Sequence, residues 1–135
     1  MSSRILIVDD EPALRRTLER ALTNHGYSVV SVADPNSAYQ VLGESNFDLV
    51  LLDLRLPQIS GDTLLLAIVR RWPQLVGRTI LMSGDPWPEE DRPEALAGCP
   101  ILAKPFSLEM LVKTVGAVIA AADTQPDLLE GNGHG

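Results

Sequence analysis

A dense apolar run at residues 49–52, Leu-Val-Leu-Leu, ends at the carboxylate of Asp53 and is followed at once by Leu-Arg-Leu-Pro. A run this rich in Leu and Val is typical of a strand that is buried on both faces, as the strands of parallel sheets are. Open parallel α/β sheets bind their ligands in the crevice outside the carboxyl ends of the strands. We therefore predict that Asp53 is the reactive residue of this chain.

The rest of the chain alternates short apolar runs with helical patterns. Four further runs predict strands, at residues 5–8, 28–32, 79–82 and 101–103. Apolar residues at helical spacing predict helices after Pro12, after the turn at 33–36, after the loop at 58–62 and after Ser107. Because right-handed crossovers return each strand in the same direction, the pattern predicts one doubly wound α/β domain with a five-stranded parallel sheet and helices on both faces.

Composition limits the classes of function. Hydrophobic residues at 45% and charged residues at 21% are typical of a globular chain, and 135 residues suit one domain. The net charge of -7, with 11 Lys and Arg that form no cluster beyond pairs, argues against direct binding of nucleic acid. The start of the chain has only four apolar residues between Arg4 and Asp9, too few for the core of a signal peptide, and no stretch has the length of a membrane span. The single cysteine, Cys99, excludes an internal disulfide and suits the reducing cytoplasm, where we expect the protein to act.

Polar residues follow four of the predicted strands. Asp9 and Asp10 come after the first strand, Asp53 ends the third, Ser83 follows the fourth and Lys104 follows the fifth. The carboxyl ends of parallel strands share one edge of the sheet, so we expect these side chains to lie together. Their coincidence at the strand ends is the strongest functional signal in the sequence.

In order and spacing, this set resembles the receiver domain of bacterial two-component response regulators. The resemblance rests on the pair Asp9-Asp10, on Leu-Leu-Asp-Leu-Arg-Leu-Pro around Asp53, on Ser83-Gly84 and on Lys-Pro-Phe from Lys104. It implies the flavodoxin-like strand order 2-1-3-4-5. It also implies a receiver domain over residues 1–122, and we expect the polar, Gly-rich residues 123–135 to form a flexible tail or linker.

The resemblance implies a chemistry for these residues. A receiver takes a phosphoryl group from a sensor histidine kinase or a phosphotransfer protein, and Asp53 is the matching phosphoacceptor. Mg²⁺ would be held by Asp10, Asp53 and the backbone carbonyl of Arg55, with Asp9 acting directly or through water. Lys104 would pair with a phosphoryl oxygen. Such a domain catalyses only its own phosphorylation and dephosphorylation, so we do not expect an enzyme in the usual sense.

The same resemblance implies a switch. Ser83 matches the hydroxyl residue that moves to hydrogen-bond the phosphoryl group and changes the conformation of the following loop. Ile101 stands where the family usually has an aromatic residue, three positions before Lys104, so signalling through an aromatic side chain is not expected. The peptide bond before Pro105 is expected to be cis.

Two further residues match positions that tune the phosphoryl lifetime in this family. Arg55 lies two residues after Asp53, and Asp85 lies two residues after Ser83. Our hypothesis is that Arg55 and Asp85 approach each other over Asp53 and hinder the attacking water. Two solvated charges without contact are the alternative, because exposed charge pairs are usually weak.

Rival functions stay open on the residues alone. An aspartate-nucleophile, magnesium-dependent phosphatase would also use a strand-end aspartate, but it usually has a second acid where Arg55 stands. A nucleotide-binding domain needs a Gly-rich first turn, and Asp9-Asp10-Glu11-Pro12 has none. A degenerate receiver that serves only for docking would have lost Asp53 or Lys104.

The expected partners are a phosphodonor and a downstream effector domain or protein, and we expect no membrane partner. Small residues on the last helix, at 116, 117, 120 and 121, are compatible with a weak homodimer as well as with close packing.

Overall fold

Five parallel strands form one sheet. A computed structural model of the chain describes residues 3–84 and 98–133, with side chains over 3–84 and 98–122. The strands are listed here in chain order: β1 (Arg4–Val8), β2 (Ser28–Val32), β3 (Leu49–Asp53), β4 (Thr79–Ser83) and β5 (Ile101–Ala103). They lie in the order β2-β1-β3-β4-β5 and every neighbouring pair is parallel. The predicted fold class and strand order are confirmed.

Four helices are described: α1 (Pro12–Asn24), α2 (Pro35–Glu44), α3 (Gly61–Arg71) and α4 (Leu108–Gly133), with a short 3-10 helix (Pro73–Leu75) after α3. Their starts follow from local chemistry. Proline, which lacks an N–H and has a φ suited to a first helical turn, begins α1 and α2. The Asp34 carboxylate caps α2 by accepting from the Ser37 amide at 2.8 Å. The Ser107 hydroxyl caps α4 by accepting from the Met110 amide at 3.0 Å.

The helices cover the two faces of the sheet in pairs. On one face, α2 and α3 contribute Ala38, Leu42, Leu64, Leu65 and Ile68 to a core with alternate strand residues. On the other, Leu18 and Leu22 of α1 pack with Leu111 and Val115 of α4. All five residues of β3 are buried, as expected for the central strand of a sheet covered on both faces.

The end of the chain differs from the prediction. Helix α4 continues as far as Gly133, so residues 123–133 have a helical backbone where the sequence predicted an aperiodic tail. Residues added to an existing helix need no new nucleation step and most gain one hydrogen bond, but Pro126 lies in this segment and has no N–H to donate. The division into a domain over 1–122 and a linker over 123–135 stays a prediction.

The prolines of the stretch from Pro86 to Gly98 predict a short or mobile helix between β4 and β5, and residues 86–97 of this stretch lie outside the described residues. Among the helices that are described, none is long and apolar enough to cross a membrane.

Candidate functional site

The sheet brings the predicted polar residues to one edge. Asp9 follows the last residue of β1, Asp53 ends β3, Ser83 ends β4 and Lys104 follows β5. The register aligns these ends, because Asp53 pairs with Met82 and Ser83 pairs with Ala103. The strand order and register therefore collect residues that are distant in sequence.

Asp9 has no exposed surface, and its polar groups are bonded. Its carboxylate accepts from the Glu11 amide at 2.8 Å through Oδ1 and from Lys104 Nζ at 3.1 Å through Oδ2. Its amide donates to the Val32 carbonyl at 3.1 Å, and its own carbonyl accepts from Arg15 Nη1 at 2.7 Å. Hydrogen bonds therefore fix both the backbone and the side chain of Asp9. Those to its carboxylate replace the contacts with water that it loses on burial.

Lys104 lies between two carboxylates. Its Nζ is 3.1 Å from Asp9 Oδ2 and 3.5 Å from Asp53 Oδ2. Its backbone amide donates to the Ser83 carbonyl at 2.7 Å, which ties the end of β5 to the end of β4. The peptide bond from Lys104 to Pro105 is cis. One ammonium group therefore lies beside two carboxylates, so the site keeps an excess of negative charge.

Asp53 is buried, with 3% of its surface exposed. Burial raises the pKa of its carboxyl above the ordinary value, and the negative charge of Asp9 raises it further. The hydrogen bond from the Arg55 amide to Asp53 Oδ1, 2.9 Å long, and the Lys104 ammonium act in the opposite direction. The protein thus only partly compensates the charge of Asp53, which favours a further cation at this position.

Asp9, Asp10 and Asp53 form a cluster of three acids. Each offers a carboxylate oxygen, and these oxygens lie within 4.8 Å of one another. Asp9 and Asp53 are buried, whereas Asp10 is exposed at the rim. Carboxylate oxygens suit Mg²⁺, which is commonly held by one or two carboxylates and keeps several waters, and the exposed side of Asp10 leaves room for those waters. The donor set therefore fits the predicted ion.

A family model matches most of the chain. The model of the response regulator receiver domain matches residues 5–116. The chain belongs to this family. The transcriptional regulatory protein TcrA of Mycobacterium tuberculosis is 38% identical to this receiver domain over 117 residues, which cover 85% of the chain and 45% of TcrA. The response regulator MprA of Mycolicibacterium vanbaalenii is 31% identical over 94% of the chain and 54% of MprA. The chain spans about half the length of these curated relatives.

Solved structures agree with the receiver fold. A CheY-like response regulator receiver domain protein from Methanospirillum hungatei has a TM-score of 0.84 and 25% identity, covering 93% of this chain and 99% of that one. The response regulator TrrA from Thermotoga maritima, in complex with Mg²⁺ and BeF, has a TM-score of 0.76 and 27% identity, covering 86% of this chain and 98% of that one.

Three of the four residues predicted to switch or modulate the domain lie within the described residues. Ser83 is buried at the end of β4, with 3% of its surface exposed. Ile101 is partly buried and packs against the core beneath α2 and α3. Asp85 lies outside the described residues, so the hypothesis that it approaches Arg55 stays a prediction. The Arg55 backbone forms an isolated antiparallel bridge with Ser60, which keeps its peptide beside Asp53.

Two residues of the receiver domain's site were missed by sequence reasoning. Helical spacing predicts that Arg15 points away from the apolar face of α1, yet its guanidinium donates to the Asp9 carbonyl. Gly61, read as part of a loop, begins α3 in close contact with the backbone of Asp53 and Leu54. A glycine after the Ser60 N-cap is only a weak indication of such a contact, because the sequence does not show how closely the end of β3 passes α3.

Proposed function

We propose that this receiver domain accepts a phosphoryl group on Asp53 in a magnesium-dependent reaction. The donor is the phosphohistidine of a sensor histidine kinase or a phosphotransfer protein. The proposal rests mainly on the surroundings of Asp53. It lies at the end of β3, with Lys104 Nζ 3.5 Å from its carboxylate and two further acids beside it. A reactive carboxylate in such a setting is a nucleophile rather than a general acid or base.

In the proposed reaction, a carboxylate oxygen of Asp53 attacks phosphorus as the bond from phosphorus to the donor nitrogen breaks. Phosphoryl transfer depends mainly on positioning and on electrostatic stabilisation of the phosphoryl oxygens. The Arg55 amide orients Asp53 through Oδ1. Lys104 is near enough to Asp53 to pair with a phosphoryl oxygen, and its bond to Asp9 keeps the ammonium at the site.

Asp10, Asp53 and the backbone carbonyl of Arg55 would hold Mg²⁺, with Asp9 acting directly or through water. When bound, the ion supplies positive charge that offsets the phosphoryl oxygens and the crowded carboxylates. The exposed position of Asp10 supports this assignment, because it leaves room for the waters that Mg²⁺ retains.

The output follows from the same site. Ser83 would hydrogen-bond the phosphoryl group and shift the loop after β4 between two arrangements, which an effector domain or protein would recognise. Because Ile101 stands in place of an aromatic residue, the conformational change would pass to the output surface through packing at β5 rather than through rotation of an aromatic side chain.

The family match supports a receiver over a phosphatase or a docking module. In addition, Arg55 occupies the position where the phosphatase would usually have its second acid, and both Asp53 and Lys104 are present. We infer that the domain catalyses only its own phosphorylation and dephosphorylation.

Thermal unfolding with Mg²⁺ and beryllofluoride tests the proposal. A ligand at about 100 times its Kd stabilises the folded state by about 2.7 kcal/mol, so we expect a clear rise in Tm for the wild type. Asp53→Asn should lose the beryllofluoride-dependent part of the rise. Glu44→Gln removes one negative charge at the end of α2, away from the site, and should keep it. An equal rise in Asp53→Asn and wild type would contradict the assignment of Asp53.

A further inference from the structure

The peptide unit between Asp9 and Asp10 is held by a side chain from α1. Arg15 Nη1 donates to the Asp9 carbonyl at 2.7 Å, across six residues of sequence. Asp9 lies beyond the last residue of β1 and has no exposed surface. A charged donor at this distance forms one of the stronger classes of hydrogen bond in proteins.

We propose that Arg15 is a positioning residue for the cation site, and that it acts by orienting the carboxylate of Asp10. The inference rests on the proposed function, in which Asp10 is a cation ligand. A peptide unit is planar, so the group that holds the Asp9 carbonyl also fixes the plane that leads into Asp10. Arg15 thereby restricts ψ of Asp9 and φ of Asp10.

Asp10 depends on this restraint more than its neighbours do. The carboxylate of Asp9 is bonded to the Glu11 amide and to Lys104, and that of Asp53 is bonded to the Arg55 amide. Over residues 3–84 and 98–122, no hydrogen bond or ion pair fixes the side chain of Asp10, which is exposed. The backbone therefore fixes the direction of its Cα–Cβ bond, and with it which rotamers bring the carboxylate to the other two acids.

The charge of Arg15 and its hydrogen bond to the Asp9 carbonyl predict opposite effects on cation affinity when Arg15 is removed. If the guanidinium acted only as a nearby positive charge, its removal would leave the three acids more negative and cation binding would become tighter. If it positions Asp10, its removal lets the Asp9–Asp10 peptide rotate and cation binding becomes weaker. The direction of the change in affinity therefore separates the two roles.

Titration calorimetry with Mg²⁺ on the full chain tests the inference. Removing an outer partner of a metal ligand typically lowers affinity 10- to 100-fold, and we expect Arg15→Met to raise the Kd for Mg²⁺ about tenfold. Arg15→Lys keeps a charged donor that can reach the carbonyl and should recover most of the affinity. Arg16→Met removes a neighbouring, exposed arginine from α1 and should leave the Kd unchanged.

A second measurement shows whether the effect passes through Asp10. In an Asp10→Asn background, Arg15→Met should change the remaining Mg²⁺ affinity by less than about twofold, because the residue that it positions is already altered. Unchanged or tighter binding in Arg15→Met, or an equal loss with and without Asp10, would overturn the inference. If Arg15→Met does not fold, Arg15→Gln, which also removes the charge, replaces it: weaker Mg²⁺ binding than wild type would support the inference, and unchanged or tighter binding would overturn it. Wild type that binds no Mg²⁺ would refute the cation site itself.

Discussion

Replacing Gly61 by alanine tests how the start of α3 supports the phosphoacceptor. A Cβ at this position would lie 2.8 Å from the carbonyl oxygen of Asp53 and 2.8 Å from Leu54 Cδ2, and it would also contact Leu54 Cα. Two of these three atoms belong to the backbone, so rotating a side chain cannot relieve the clash. Either α3 or the segment after β3 must move.

The magnitude follows from two opposing effects. Forcing a methyl group into a packed site costs about 1–3 kcal/mol. The higher helix propensity of alanine returns at most about 1 kcal/mol. We therefore expect Gly61→Ala to lower the free energy of unfolding by about 1–2 kcal/mol, and to lower Tm by roughly 3–8 °C for a chain of this size.

Urea and thermal unfolding measure this change, and Gly43→Ala is the matched control. Gly43 lies in α2, and a Cβ there would meet nothing within 4 Å. That variant should gain about 0.5–1 kcal/mol. Because the displaced backbone carries Asp53, Gly61→Ala should also slow labelling by acetyl phosphate about tenfold. If Gly61→Ala were as stable as Gly43→Ala, the close approach of α3 to Asp53 would be wrong.

Two further variants test the charges of the site without Mg²⁺. The pKa of Asp53 is raised above 3.8 in the folded state, so its ionised form destabilises the fold. Asp53→Asn removes that charge and should raise the free energy of unfolding at pH 7. This gain should shrink as the pH falls through the raised pKa, because Asp53 is then neutral in the wild type as well. A gain independent of pH would contradict the desolvation of Asp53. Lys104→Met leaves the buried Asp9 without its cation. Because Lys104 is itself partly exposed, the cost should lie at the low end for a buried pair, about 3 kcal/mol in urea unfolding at pH 7, and an unchanged midpoint would count against the ion pair.

The strands and the edge where they meet could be predicted from sequence. Continuous apolar runs such as residues 49–52 are local signals, and a parallel sheet follows from their alternation with helical patterns. Once the sheet is parallel, Asp9, Asp53, Ser83 and Lys104 must come to one edge. The site could be anticipated because its residues follow the strands directly.

Contacts that depend on three-dimensional packing could not be predicted in this way. The bond from Arg15 to the Asp9 carbonyl depends on the angle at which α1 leaves β1, and helical spacing alone placed Arg15 on an outward face. The contact of Gly61 with Asp53 depends on how closely α3 passes the end of β3. The helical backbone after Ala122 was not predicted, because Pro126 and the polar, Gly-rich composition of this segment are signals against a helix.

Intact-mass analysis of the chain after incubation with acetyl phosphate and Mg²⁺ tests the central claim most directly. The account predicts a single phosphoryl adduct on the wild type, absent from Asp53→Asn and from samples in which the ion has been chelated. An adduct of equal yield on Asp53→Asn, or no adduct on folded wild type with Mg²⁺ present, would contradict the claim that Asp53 is the phosphoacceptor.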